Sequence, residues 1–269
     1  MIGVFDSGFG GLTILKSFLR KLPEYDYVYL GDNARAPYGN KSQELIYKYT
    51  AQAVNFLFKE GTELVIIACN TASTEALRKI QQEWLPKNYP KKRVLGVVIP
   101  VAEEVMKDKK NDKIGLIGTR ATINSKTYNS EIRKINQEIE IVEKATPLLV
   151  PLIEEGWHKR REAKMILRSY LRLFKEKKVN KLILGCTHYP ILQKEINGIM
   201  GKNCTVLDSP EIVAVKLDNY LKRHGEIEGK IKKDKKRKYF TTDDVRRFEN
   251  LGQKFLGESI QGVKKIELK

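Results

Sequence analysis

A chain of 269 residues is too long for a mini-domain and suits one large domain or two smaller ones; its 41% apolar residues supply a core, and its 31% charged residues, interspersed, exclude wholesale disorder. The formal net charge of +17, from 50 Lys and Arg against 33 Asp and Glu, admits nucleic acid or an acidic substrate as partner. Three separated cysteines and three histidines without CxxC or HxxxH spacing exclude a disulfide framework and a zinc site, and fit a reducing cytosol. The opening MIGVFDSGFGG has no basic lead-in and reads as a strand start rather than a targeting signal. Short apolar runs then predict strands at 2–5, 26–30, 64–68, 93–98, 114–117, 140–143 and 181–184, with helical patterns at 43–59 and 162–176 between them. The longest apolar run, 94–102, is about half a membrane span, which excludes a transmembrane helix. The basic runs KDKKNDK (107–113) and KIKKDKKRK (230–238) read as solvated loops.

Alternating strands and helices are the α/β signature, and the chain carries a faint internal repeat. IGVFDSG (2–8) is similar to IGLIGTR (114–120) at an offset of 112 residues, and LVIIACNTAS (64–73) to LILGCTHYP (182–190) at 117. Two anchors that agree this closely predict two similar α/β domains with mainly parallel sheets. The segment after Asp208 has no counterpart and is expected to return to the first unit, giving residues 1–95 plus 209–269 against 96–208.

The repeat aligns Cys69 with Cys186, each at the end of an apolar strand and each followed by polar residues that read as a helix start. Ligands of open α/β sheets bind beyond the carboxyl ends of the strands, so both thiols are expected at one crevice. A thiolate on one side of a substrate carbon and a thiol on the other suit proton removal and proton delivery. An unperturbed thiol is only a few per cent ionised near neutrality, and helix N-termini after each cysteine would favour the thiolate and hold a substrate carboxylate. Asp6, with Ser7, ends the first strand in the same crevice, where it either manages thiol protons or caps the helix GGLTILKSFLRKL. His188, two residues past Cys186, is expected in the first turn of a helix, as a proton-handling group or a packed core histidine. Cys204 reads as packing. The turn Gly8-Phe9-Gly10-Gly11, with Asp32 beyond it, is a poor match to a dinucleotide fingerprint because Thr13 stands where its last glycine belongs.

The motifs FDSGFGGLT (5–13), YLGDNARAPYG (29–39), ACNTAS (68–73), PLIEEG (151–156) and LGCTHYP (184–190) resemble, in order, those of the glutamate racemases within the aspartate/glutamate racemase superfamily. The resemblance runs from residue 1 to FLG (255–257). It implies a cofactor-independent cytoplasmic isomerase, a homodimer, with the substrate at the interface of two α/β domains, supplying D-glutamate for peptidoglycan. It implies Cys69 and Cys186 as the acid/base pair, with Cys186 taking the proton of the L form and Cys69 that of the D form. Asp6, His188 and Glu154 match auxiliary ionisable positions, and Asp6, Ser7, Tyr38, Gly39, Asn70, Thr71, Thr187 and His188 match substrate contacts. Asn33, Arg120 and Ile99 depart from the residues the resemblance leads one to expect, threonine, proline and a charged residue, at positions expected to touch neither a cysteine nor its immediate polar neighbours. An aspartate racemase is the nearest alternative, since one methylene changes binding by only about 1–3 kcal/mol. A nucleic-acid-binding protein is the alternative of another class, but no helix-turn-helix, zinc finger or RNP strand supports it, and a contact through 230–238 would be secondary.

Overall fold

A computed structural model describes residues 1–107 and 113–269, so most of the run 107–113 lies outside the described residues. The seven predicted strands form with ends shifted by at most two residues: β1 (Ile2–Asp6), β2 (Tyr27–Gly31), β3 (Leu64–Ile67), β4 (Arg93–Gly96), β5 (Lys113–Gly118), β6 (Glu140–Ala145) and β7 (Lys181–Gly185). β4 stops early because the chain turns into the helix Val98–Val105. Three short strands escape the apolar pattern: β8 (Thr205–Val206), β9 (Arg237–Thr241) and β10 (Lys264–Lys265).

Among the described residues all pairings are parallel, in a six-stranded sheet ordered β10-β9-β2-β1-β3-β4 and a four-stranded sheet ordered β6-β5-β7-β8. The order β2-β1-β3-β4 is reproduced by β6-β5-β7-β8, so the sequence repeat is a topological repeat. β9 pairs along the whole of β2, from Tyr27–Arg237 to Gly31–Thr241, and β10 extends that edge.

Parallel strands covered on both faces read as continuous apolar runs, and β1 to β3 are buried at every position. Alternate residues of the first sheet enter different clusters. Phe5, Val28, Leu30, Val65 and Ile67 pack under the helix Gln43–Lys59, whose Ile46, Ala53, Val54 and Leu57 recur at helical spacing behind a Ser42 N-cap. Ile2, Val4, Tyr27, Tyr29, Leu64 and Ile66 face the other way, into an apolar cluster that continues through Leu116, Leu182 and Ile183 of the second sheet. Ala163, Leu167, Leu171 and Phe174 of the helix Arg161–Glu176 cover that second sheet.

The run 230–238 is not the free loop its charge suggests. Asp26 Oδ1 accepts the Asp234 and Lys236 amides at 2.9 Å each, and Arg237 donates to the Tyr25 and Pro23 carbonyls at 2.5 and 2.7 Å. Lys233 pairs with Glu228, Lys236 with Asp234 and Lys238 with Glu60. The run is a folded connection whose last two residues begin β9. Among the described residues no helix is long and apolar enough to cross a membrane, and no three His, Cys, Asp or Glu side chains gather as metal ligands.

Candidate active site

Residues just past the carboxyl ends of seven strands line one cleft of about 310 Å³: Ser7 after β1, Asn33 after β2, Cys69 after β3, Thr119 after β5, Thr146 after β6, Cys186 after β7 and Asp243 after β9. This is the crevice that parallel sheets build. Both thiols therefore reach it from equivalent strands of the two sheets.

On the first sheet, Cys69 N-caps the helix Asn70–Glu75. Its Sγ lies 3.3 Å from Ser7 Oγ and 3.5 Å from the donating Ala72 amide. Burial, then the charge of Asp6, pushes the Cys69 thiol up to about 12 against the pull of the Ser7 and Ala72 hydrogen bonds. Cys69 is thus built to hold its proton. Asp6 is fully buried behind the cleft and accepts the Gly8 amide at 2.9 Å and the Thr187 hydroxyl at 3.2 Å. Burial raises its carboxyl above the ordinary carboxylate range, opposed by His188 and by hydrogen bonds from Gly8, Gly11 and Thr187. The capping alternative for Asp6 fails: the first helix begins at Leu12, with Gly11 as N-cap and no side-chain cap.

On the second sheet the expected α-helix start after Cys186 is absent. A 3-10 turn, Tyr189–Leu192, follows His188, and the α-helix begins only at Gln193. His188 replaces the helix as the charged neighbour: its Nδ1 is 3.8 Å from Cys186 Sγ and its Nε2 2.9 Å from Glu154 Oε1. Burial by itself lowers the imidazole, but hydrogen bonds to Cys186 and Glu154 outweigh it and raise His188 to about 10. At neutral pH an imidazolium faces the Cys186 sulfur.

Short links tie the two sheets together around the cleft. Thr13 Oγ1 donates to the Thr187 carbonyl at 3.0 Å, and a Cβ on Gly10 would lie 2.2 Å from Thr187 Oγ1 and 2.5 Å from His188 Nδ1. The glycine turn is clearance for that approach and not a nucleotide fingerprint. Asp32 is likewise committed elsewhere, accepting from Arg35, Tyr38 and Thr242 at 2.7, 2.5 and 2.9 Å. Across the cleft Thr71 Oγ1 is 2.9 Å from Thr119 Oγ1, and Gly39 packs on Thr119, where a Cβ would come within 2.7 Å. Tyr128 donates to Asn70 Oδ1 at 2.6 Å, which leaves the Asn70 Nδ2 to donate elsewhere.

Ser7, Tyr38, Gly39, Cys69, Asn70, Thr71, Glu154, Cys186, Thr187 and His188 all line the cleft, and Asp6 lies directly behind it. Cys204 lies in the apolar core instead. The sequence reading misses Thr119 and Thr146. Thr119 was within reach, since the offset of 112 that aligns the first strands carries Ser7 onto it. Of the departures expected to stand clear of the cysteines and their polar neighbours, Asn33 and Arg120 line the same cleft.

The family model Asp/Glu/Hydantoin racemase matches residues 7–217. The glutamate racemase of Geobacter metallireducens is 39% identical over 267 residues, covering 99% of this chain and 96% of the relative. The structure of glutamate racemase isoform RacE1 from Bacillus anthracis superposes with a TM-score of 0.90 at 32% identity, covering 100% of this chain and 97% of that one. That of the Francisella tularensis glutamate racemase in complex with D-glutamate gives 0.88 at 35% identity, over 99% and 97%. The chain belongs to the Asp/Glu/hydantoin racemase family.

Proposed function

We propose that the chain is a cytoplasmic isomerase that interconverts L- and D-glutamate without a cofactor, using Cys69 and Cys186 as its two acid/base groups and supplying D-glutamate for peptidoglycan. The observation that carries this reading is the pair of thiols on one cleft, reached from equivalent strands of the two sheets, with opposite electrostatic surroundings. The two bodies that flank the substrate are residues 1–95 with 209–269 and residues 96–208. This division is supported by the separate sheets β1–β4 with β9–β10 and β5–β8. The family resemblance adds a homodimer.

In the L-to-D direction a thiolate at Cys186, countered by the His188 imidazolium, takes the α-proton. Cys69, which burial keeps as a thiol, gives its proton to the opposite face. One proton has then moved onto Cys186 and one has left Cys69, the state from which the D form reacts. Asp6 and His188 exchange protons with the two thiols between turnovers, from positions behind Cys69 and beside Cys186. The substrate carboxylates meet neutral donors, the Asn70 Nδ2 and the hydroxyls of Ser7, Thr71 and Thr187, with Tyr38 and Gly39 closing the cleft against Thr119.

The test is L-glutamate in heavy water without added cofactor, with aspartate in parallel, followed by circular dichroism and mass spectrometry. Early D-glutamate should carry one solvent deuteron while the remaining L pool stays protiated, because different thiols serve the two faces. Comparable early deuteration of both pools would mean a single base; turnover of aspartate alone would assign the other substrate.

A further inference from the structure

Three carboxylates line the cleft, Glu154, Glu155 and Asp243, yet the proposed substrate brings two more and a net negative charge. Among the described residues, its cationic lining consists of the His188 imidazolium and two arginines, Arg120 and Arg247. Both guanidiniums are exposed, and neither has an ion-pair or hydrogen-bond partner among the described residues. Arg120 stands where the family resemblance leads one to expect proline. It directly follows Thr119, whose hydroxyl bonds Thr71 across the cleft and accepts the Thr122 amide at 3.2 Å, fixing the start of the helix Arg120–Asn124. Gly39 presses on the same threonine. The charge is therefore rooted next to Thr119, which bonds the Thr71 hydroxyl assigned to the substrate.

We propose that Arg120 is a specificity-determining residue: with Arg247 it offsets the carboxylates of the cleft and so selects a substrate of net negative charge, an amino acid with a second carboxylate. The inference rests on the glutamate reading and deepens it. A rim charge acts on the net charge of the ligand, so it shifts the binding of L and D forms alike and is screened by salt.

The experiment compares wild type, Arg120→Gln and Arg120→Lys, by kinetics with both enantiomers and by calorimetry with D-glutamate, at 20 mM and 500 mM sodium chloride. At low salt Arg120→Gln should raise KM and the calorimetric Kd by about 3- to 10-fold, with kcat changed by a smaller factor. Arg120→Lys should recover most of that loss, and high salt should close the gap between the variants. Unchanged KM and Kd in Arg120→Gln, a loss confined to kcat, or a gap that ignores salt would overturn the proposal while leaving glutamate racemisation in place. Wild-type protein that binds D-glutamate without racemising it would sink the function and leave the Arg120 inference to be read from Kd; wild type that does neither sinks both.

Discussion

Glu154→Gln removes the charge behind His188 while keeping a hydrogen-bond acceptor of nearly the same shape. In the wild type the imidazole, raised from 6.5 to about 10, gains a proton on folding throughout the window between those values. A group raised in the folded state stabilises fully below its unfolded value and loses that contribution as pH climbs through the folded one. From this group alone, wild-type stability should fall across the window by up to about 1.4 kcal/mol per pH unit. With Gln at 154, burial pulls His188 down unopposed by that carboxylate, and the slope flattens. Urea unfolding should show the variant about 1.5–3 kcal/mol less stable at pH 6, the range for a hydrogen bond to a charged group, with the gap closing toward pH 10. The kinetic consequence follows the same proton. Only the interaction with Cys186 then holds the imidazolium against burial, so its population falls as pH rises, and L-glutamate turnover should drop about 10- to 100-fold at pH 8, up to the low end of general acid–base effects, and recover in part at pH 6. Nitrogen-15 NMR reads His188 directly. A stability gap that is constant with pH, or a wild-type His188 that titrates near 6.5, would refute the reasoning.

Three further outcomes are expected. Cys69→Ser and Cys186→Ser should each cost at least ~10³-fold in turnover, because a hydroxyl is a far weaker acid than a thiol, whereas Cys204→Ser, in the core, should leave turnover intact; initial rates by circular dichroism decide. Gly10→Ala drives a methyl to 2.2 Å from Thr187 Oγ1 and 2.5 Å from His188 Nδ1, so it should cost about 1–3 kcal/mol by thermal unfolding, as overpacking does, together with most of the activity. Gln at Lys230, Lys232, Lys233, Lys235 and Lys236 should hold turnover within about twofold, since exposed pairs are worth 0–1 kcal/mol, while Arg237→Gln should lower Tm by releasing two carbonyls, with any nucleic-acid binding of the wild type falling steeply in salt.

Much of this architecture was legible because parallel strands buried on both faces leave continuous apolar runs, and the repeat, which carries Cys69 onto Cys186, turned out to be the shared order β2-β1-β3-β4 and β6-β5-β7-β8. What escaped did so for identifiable reasons. β9 is short and opens inside a basic run, so its apolar half, Tyr239 and Phe240, is outvoted by charge in any window. Asn33 and Arg120 are distant from both cysteines along the chain, but the loops after β2 and β5 converge on the same cleft as the cysteines.

The Gly8–Gly11 turn carries the deeper point. As a string it invites comparison with a phosphate-binding loop, in which backbone approaches ligand. In the fold Gly10 and Gly11 face protein: a Cβ on Gly10 would run into Thr187 and His188 of the other sheet, and one on Gly11 would come within 2.5 Å of the Asp6 side chain. Both uses demand the absence of a Cβ, so composition cannot separate them. What separates them is the partner, and the partner lies 177 residues away at Thr187. The same closeness that forbids a side chain at Gly10 brings the Thr187 hydroxyl onto Asp6 and thereby sets the turn after Cys186 against the end of the first strand. Two thiols can serve opposite faces of one carbon only if the sheets that carry them are held at a fixed spacing, and this turn is one of the places where that spacing is set.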